Sequence, residues 1–337
     1  MKIVFTICSN NYLSQAKTLG DSLVKYNSDY KFIIGLCDKK SQDIDYSFFD
    51  PYEIIEVEKL NIANFEWMIY NYYIIELNTA IKPFFFQYLL QQYQDIEAIM
   101  YFDPDIKVFD SLSPIETELQ NKSALLTPHI LSSIPLDGKS PYETTFLNYG
   151  LYNLGFLAIR PSRQADKLLE WWAERLSVQS FNRVAEGLFV DQLPMNFAPL
   201  FFEDVQISRT PGYNYAYWNF HERKISLKEG KYYINENCPL TFLHFSSFKP
   251  IPPLNISIFQ TRFDLDKEEL LYKLYAEYAD NLITNKYFEL KEVECFYSVL
   301  RNNYLEEERL RQEVKYKEQR KFSDRLKSRL IRIITNL

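Results

Sequence analysis

The chain has 337 residues, 17% of them aromatic with 26 Tyr and 26 Phe, and a formal net charge of −7. That aromatic content supplies ample burial and argues against disorder. The negative balance argues against a nucleic-acid binder, so any anion-binding surface is local. The length fits one large catalytic domain with a helical appendage, over 1–264 and 265–337.

In chain order, Lys2 to Ile7 reads as a first strand, followed by Ser9-Asn10-Asn11-Tyr12 and a helix patterned on Ala16, Leu19, Leu23 and Val24. Lys31 to Leu36 reads as a second strand. This opening is that of an α/β sheet, whose ligands sit at the carboxyl ends of its strands. A helical stretch around Ile69 to Leu90 leads to the apolar run Ile99-Met100-Tyr101-Phe102, which ends in Asp103-Pro104-Asp105-Ile106. A polar segment punctuated by proline follows from Asp110 to Pro141. Tyr152 to Ile159 predicts another strand, Asp166 to Leu176 an amphipathic helix, and Leu240 to Phe245 a late strand containing His244.

From about Leu265 the texture turns to charged helices, and cations concentrate at the end, including Arg320, Lys321, Arg325, Lys327, Arg329 and Arg332. Phe322, Leu326, Leu330, Ile333, Ile334 and Leu337 recur at helical spacing beside them. A basic amphipathic end on an acidic chain predicts binding to an anionic membrane surface, with dimerisation or packing on the protein as the other readings. Cys8, Cys37, Cys238 and Cys295 lie far apart without zinc spacing and read as reduced structural thiols. Neither a signal peptide nor a membrane span is visible at the N-terminus, so the expected location is cytoplasmic, peripheral at the inner face of the membrane.

The chemistry begins at Asp103 and Asp105. Two carboxylates on one strand-end face repel by roughly 1 kcal/mol or more without a cation between them. Their hard oxygens suit Mg2+ or Mn2+ and leave coordination places for phosphate. His244, near the end of a different strand, reads by itself as a satisfied core or surface histidine, with a nitrogen ligand that would tilt the choice toward Mn2+ as the other reading. Asp43/Asp45 and Asp264/Asp266 share the spacing but follow no apolar strand, and read as turn or capping acids. His129 and His221 have no such framing; His221 and Glu222 beside it read as solvated loop residues, with lining of the site as the other reading. The turn-rich Pro211–Asn219 segment offers Tyr217, Trp218 and Asn219 as substrate-side candidates, with core packing as the competing role.

Phe102-Asp103-Pro104-Asp105 resembles the DxD motif of GT-A-fold nucleotide-sugar glycosyltransferases, and the elements around it resemble the retaining family 8 type. Asp103, Asp105 and His244 match that family's metal ligands in order. Asn10-Asn11-Tyr12 resembles its uracil and ribose loop, with Thr6 in the strand before it. Lys82 matches a cation that meets the diphosphate, and Asn153 and Gly155 match an Asn-x-Gly strand beside the sugar. Asp191-Gln192-Leu193-Pro194-Met195-Asn196 is similar to Asp-Gln-Asp-x-x-Asn, with Leu193 replacing the middle aspartate. There the first aspartate grips donor-sugar hydroxyls and the glutamine lies beneath the anomeric carbon. His244-Phe245-Ser246-Ser247-Phe248-Lys249-Pro250 resembles the late His-x-x-Gly-x-x-Lys-Pro motif, lacking its glycine and one residue shorter. Cys8 stands near a position where relatives often carry an acid.

The resemblance implies a GT-A type Rossmann-like mixed sheet flanked by helices, with a helical C-terminal extension. It further implies metal-dependent transfer of a hexose from a UDP-sugar to a glycan, glycolipid or protein-linked acceptor, with retention. A sugar nucleotidyltransferase would show a Gly-rich basic loop after the first strand, and Ser9–Tyr12 has neither glycine nor cation. A catalytically inactive sugar-nucleotide-binding or scaffold protein is the alternative.

Overall fold

The computed structural model describes the chain through Ile334 and its side chains through Ser328. Arg329, Leu330, Arg332, Ile333, Ile334 and Leu337 of the expected amphipathic end therefore have side chains outside the described residues. The first half builds β1 (Lys2–Cys8), α1 (Leu13–Tyr26), β2 (Tyr30–Leu36), β3 (Glu53–Glu56), α2 (Phe65–Asn71), α3 (Ile74–Ala80), α4 (Lys82–Gln92), β4 (Ala98–Phe102) and β5 (Ile106–Val108). It continues with α5 (Ser113–Leu119), β6 (Ala124–Pro128), α6 (Glu143–Tyr149), β7 (Tyr152–Ile159) and α7 (Arg163–Gln179). Then come β8 (Asn182–Arg183), β9 (Leu188–Phe189), α8 (Ala198–Phe201), β10 (Val205–Ile207), β11 (Ile225–Lys228), β12 (Lys231–Ile234), β13 (Cys238–Pro239) and β14 (Phe242–His244). Three helices follow: α9 (Glu269–Thr284), α10 (Tyr287–Leu290) and α11 (Phe296–Ile334).

Among the described residues the main sheet has seven strands in the order β10-β6-β7-β4-β1-β2-β3. β1 runs parallel to β2 and β4, and β7 runs antiparallel to both β4 and β6, so the sheet is mixed as expected. Alternation along β1 feeds two cores: Ile3, Phe5 and Ile7 pack with α4 and α7, while Val4 and Cys8 pack with α1 and α5. The chain leaves β1 toward β2 and β3, then returns to place β4 on its other side. That reversal opens a crevice at the carboxyl ends of β1 and β4, where Asn10 and Asp103 emerge.

The single helical stretch expected at Ile69–Leu90 is three helices. Tyr72 and Tyr73 are extended, the Glu76 carboxylate accepts the Tyr73 N–H at 2.7 Å to start α3, and Pro83 sits at the second position of α4. The polar Asp110–Pro141 segment contains α5 and β6, whose short elements are too weakly periodic to read from the sequence. Asp45 and Asp264 accept backbone N–H groups two residues on, the capping role expected of them.

A third core joins α9 to the late strand. Leu274, Tyr275 and Tyr278 bury against Phe245 and Phe248, with the Phe245 and Tyr278 rings stacked at 3.8 Å.

Candidate active site

The site is built by a strand, a tight turn and a second small sheet. β4 is buried throughout and ends where the Asp103 N–H donates to the Gly155 carbonyl at 2.7 Å. The Ile106 N–H then returns to the Asp103 carbonyl at 3.1 Å, closing the turn that carries Asp105. β5 pairs antiparallel with β14 so that Ile106 faces His244, and the Phe245 N–H donates to the Asp105 carbonyl at 2.9 Å. Backbone pairing therefore delivers a histidine from about 140 residues downstream against the aspartates.

His244 Nε2 lies 3.0 Å from Asp105 Oδ1 and 3.9 Å from Asp103 Oδ2. One ligand atom from each of the three residues lies within 4.8 Å of the others. An octahedral ion about 2.1 Å from each ligand sets adjacent ligands about 3 Å apart, so this donor set fits a divalent cation. Burial opposes protonation of His244, but Asp105 and Asp103 outweigh it and hold its pKa above the ordinary value. Its ring lies over Gly155, where an added Cβ would stand 2.5 Å from Cε1 and 2.8 Å from Nδ1. Glycine is required there to admit the imidazole.

Lys82, from the start of α4, is 2% exposed. Its Nζ reaches Asp191 Oδ2 at 2.7 Å, Asp103 Oδ1 at 3.2 Å and the Leu154 carbonyl at 2.9 Å, and lies 4.4 Å above the Tyr101 ring. Burial works to lower the Lys82 pKa, but Asp103 and Asp191 overcome it and leave the ammonium charged. Burial likewise disfavours the Asp103 anion, and Lys82 and His244 reverse that, taking its pKa below the usual carboxylate value. Asp191, 2% exposed, is pushed up to about 6 because burial and the nearby Asp103 outweigh Lys82. Tyr101 donates its hydroxyl to Asp103 Oδ1 at 2.5 Å. Strand alternation, legible in the sequence, puts Tyr101 on the Asp103 face.

A buried amide network lies behind the cluster. Gln192 Oε1 accepts the Leu154 N–H at 3.0 Å and Asn153 Nδ2 at 3.3 Å, while its Nε2 donates to the Tyr149 carbonyl at 2.8 Å. Asn153 Oδ1 accepts from Asn214 Nδ2 at 2.9 Å and from the Gly155 N–H at 3.2 Å. Asn196 Oδ1 accepts the Leu151 N–H at 2.8 Å, binding the same motif to the residue just before β7. His129, which has no framing in the sequence, is 5% exposed. Its Nδ1 faces the Leu151 carbonyl at 3.3 Å and its Nε2 faces Asn153 Nδ2 at 3.2 Å, a network that assigns the Nδ1–H tautomer. Burial drives its pKa down to about 3. Nothing adjacent in sequence marks its burial; Phe146 and Trp218 enclose it from distant elements. Glu222 is half-buried, its side chain 8% exposed and accepting the Leu131 N–H at 2.9 and 3.0 Å.

At the β1 edge, Thr6 is fully buried with its Oγ1 unpartnered among the described residues. Asn10 spends its side chain on protein, accepting from the Tyr46 hydroxyl at 2.6 Å and donating to the Lys39 carbonyl at 2.8 Å. Asn11 is half-buried and Tyr12 exposed. Although its ring is exposed, desolvation of the Tyr12 hydroxyl raises its pKa to about 12, with further contributions from Asp105 and Tyr287. Lys249 is exposed and joins none of the ion pairs of the cluster. Trp218 stands edge-on to His244 at 5.2 Å, and Tyr217 is half-buried. Asn219 is fully buried, its amide bound to the Asn214 and His129 carbonyls and the Ala216 N–H.

No family model matches the chain. In sequence it is similar to the uncharacterized protein YfnF of Bacillus subtilis (strain 168), 26% identical over 289 residues covering 82% of this chain and 91% of that protein. It is also similar to the uncharacterized protein YfnD of the same organism, 23% identical over 286 residues, with coverage of 82% and 87%. In structure it is similar to the galactosyltransferase LgtC in complex with donor and acceptor sugar analogues, at 18% identity and a TM-score of 0.47, covering 83% of this chain and 95% of that one. The apo glycosyltransferase GlyE of Streptococcus pneumoniae TIGR4 gives 16% identity and 0.47, covering 91% and 64%. The bifunctional glycosyltransferase WbbM gives 12% and 0.49, covering 89% and 51%.

Proposed function

We propose that the protein is a GT-A type glycosyltransferase of the retaining family 8 kind, moving a hexose from a UDP-sugar to a glycan, glycolipid or protein-linked acceptor. The observation that carries this reading is the convergence of Asp103, Asp105 and His244 with Lys82 and Asp191 at the carboxyl edge of β4. Asp103, Asp105 and His244 would hold Mn2+ or Mg2+, which when bound supplies a Lewis acid for the leaving diphosphate.

This chain's own groups account for the rest. Breaking the anomeric carbon–phosphate bond puts negative charge on the diphosphate and positive charge on the sugar ring. Lys82 keeps Asp103 oriented and adds a fixed buried cation next to the leaving group. Asp191, as the carboxylate, accepts hydrogen bonds from donor-sugar hydroxyls. Gln192 presents an amide rather than a carboxylate near the sugar, so a same-face displacement, with the leaving phosphate taking the acceptor proton, suits the site better than a covalent intermediate. Asn11, Tyr12 and Lys249 are the nucleotide-side contacts, and the basic amphipathic end holds the protein at an anionic inner membrane face.

The test is hydrolysis and transfer from UDP-glucose and UDP-galactose with and without Mn2+, with the stereochemistry of the product determined. Metal-dependent turnover with a retained anomeric centre is the expected result; an inverted centre refutes the same-face route. The second reading, a sugar-nucleotide-binding protein without transfer, is favoured by the Gln192 amide, both ends of which are already bound to protein. UDP binding without turnover would select it.

A further inference from the structure

The C-terminal helix is fastened to the candidate nucleotide edge through one carboxylate. Asp38 lies two residues beyond β2 and is fully buried. Its Oδ2 accepts the Asn10 N–H at 3.2 Å, and its Oδ1 accepts the Lys39 N–H at 2.9 Å and the Phe296 N–H at 2.8 Å. Phe296 is the first residue of α11, so Asp38 satisfies one of the helix's orphan donors from a distant loop. The same carboxylate holds the backbone of the turn whose next residues, Asn11 and Tyr12, line the crevice.

Neighbouring contacts make this joint firm. Lys39 places its ammonium 4.6 Å from the Phe296 ring, Tyr297 meets Phe65 edge-on at 5.3 Å, and Arg301 lies 3.8 Å over Tyr73. Beyond Tyr304 the described part of α11 is almost wholly exposed, so its attachment is concentrated in the first turns. A buried carboxylate that loses one of several N–H partners keeps its desolvation penalty and turns toward another donor or water, which loosens its hold on the N–H groups that remain and frees the loop they belong to.

We propose that Asp38 is a positioning residue through which the docked start of α11 holds the Asn10–Tyr12 turn in its nucleotide-binding form. Nucleotide affinity then depends on a helix that touches no ligand, and anything that engages the exposed length of α11 reaches the site by this route. The proposal rests on the donor reading of that turn.

The discriminating variant is Phe296→Pro. Proline is accommodated at the first position of a helix and lacks the N–H, so the change deletes the bond to Asp38, together with the ring beside Lys39, without touching the crevice. Phe296→Ala, which loses the ring and keeps the N–H, is the control and should leave exchange and affinity unchanged. In Phe296→Pro, amide hydrogen exchange over residues 9–13 should speed up about tenfold, and affinity for UDP with Mn2+ should fall about tenfold, the worth of one charge-assisted hydrogen bond. Turnover at saturating donor should stay unchanged. Asp38→Asn, which leaves one acceptor oxygen, should give the same split. A folded Phe296→Pro protein with unaltered exchange over 9–13 overturns the coupling, as does faster exchange with unaltered UDP affinity. If the unmodified protein binds no UDP, the donor reading fails, and the exchange measurement still decides the coupling.

Discussion

His244 and Gly155 form a pair in which one residue's absent side chain makes room for the other's ring. Gly155→Ala puts a methyl into the imidazole and into Asn153 Oδ1, so Mn2+ affinity measured by calorimetry should fall tenfold or more while the strands persist. Asp103→Asn and Asp105→Asn remove charge without removing volume, and each should lower metal-dependent transfer by about 10²-fold or more. Full activity in either variant would rule out the metal assignment. His129 behaves differently because it is held neutral: its folded pKa of about 3 lies below the roughly 6.5 of an unfolded histidine. The unfolded chain binds the extra proton between those values, so stability is intact above about 6.5 and declines as pH falls toward 3. The slope from this group is up to about 1.4 kcal/mol per pH unit. Urea denaturation at pH 7 and pH 5 should show a shallower decline for His129→Gln than for the unmodified protein.

At the level of elements, the β5–β14 pair is short and depends on what covers it. α9 supplies that cover, with Tyr278 stacked on Phe245 and Tyr275 edge-on to the same ring. Tyr278→Ala should destabilise the protein by about 3–5 kcal/mol in denaturant titration. Because Phe245 donates to the Asp105 carbonyl, the same variant should also weaken Mn2+ binding. Weakened stability with undiminished metal affinity would mean that the turn holds its shape without α9. Lys107, two residues after Asp105 in the chain, shows the same dependence in polar form, since its buried ammonium reaches Glu277 at 2.6 Å and Asn281 at 2.7 Å on α9.

For the molecule as a whole, α11 is held by its first turns, and its described length beyond Tyr304 is almost wholly exposed. Among the described residues no helix is long and apolar enough to cross a membrane. The exposed apolar side chains Leu310, Val314, Phe322 and Leu326 interrupt a highly charged surface. Local pairs such as Arg309–Glu306 and Lys317–Glu313 support the helix without any other element. Deleting the residues after Arg320 should therefore leave the melting temperature and donor hydrolysis unchanged and reduce binding to phosphatidylserine-containing vesicles. Undiminished vesicle binding would assign the end of the helix to packing or dimerisation.

Local pattern alone determined the strand before the aspartates, the opening β-α-β unit and the identity of Asp103 and Asp105 as a pair in need of a cation. These features are legible because strand burial and like-charge repulsion act between residues close in the chain. Order along the chain, compared with a known motif series, added Lys82, Asp191 and His244 as candidates. Only the tertiary structure decided that Lys82 lies between Asp103 and Asp191, that Gly155 makes room for His244, and that His129 and Asn214 stand behind Asn153. It also decided that Asp38 ties Asn10 to α11. Each of those contacts joins residues separated by tens to hundreds of positions, and burial, which sets their charges and hydrogen bonds, exists only after the elements have packed.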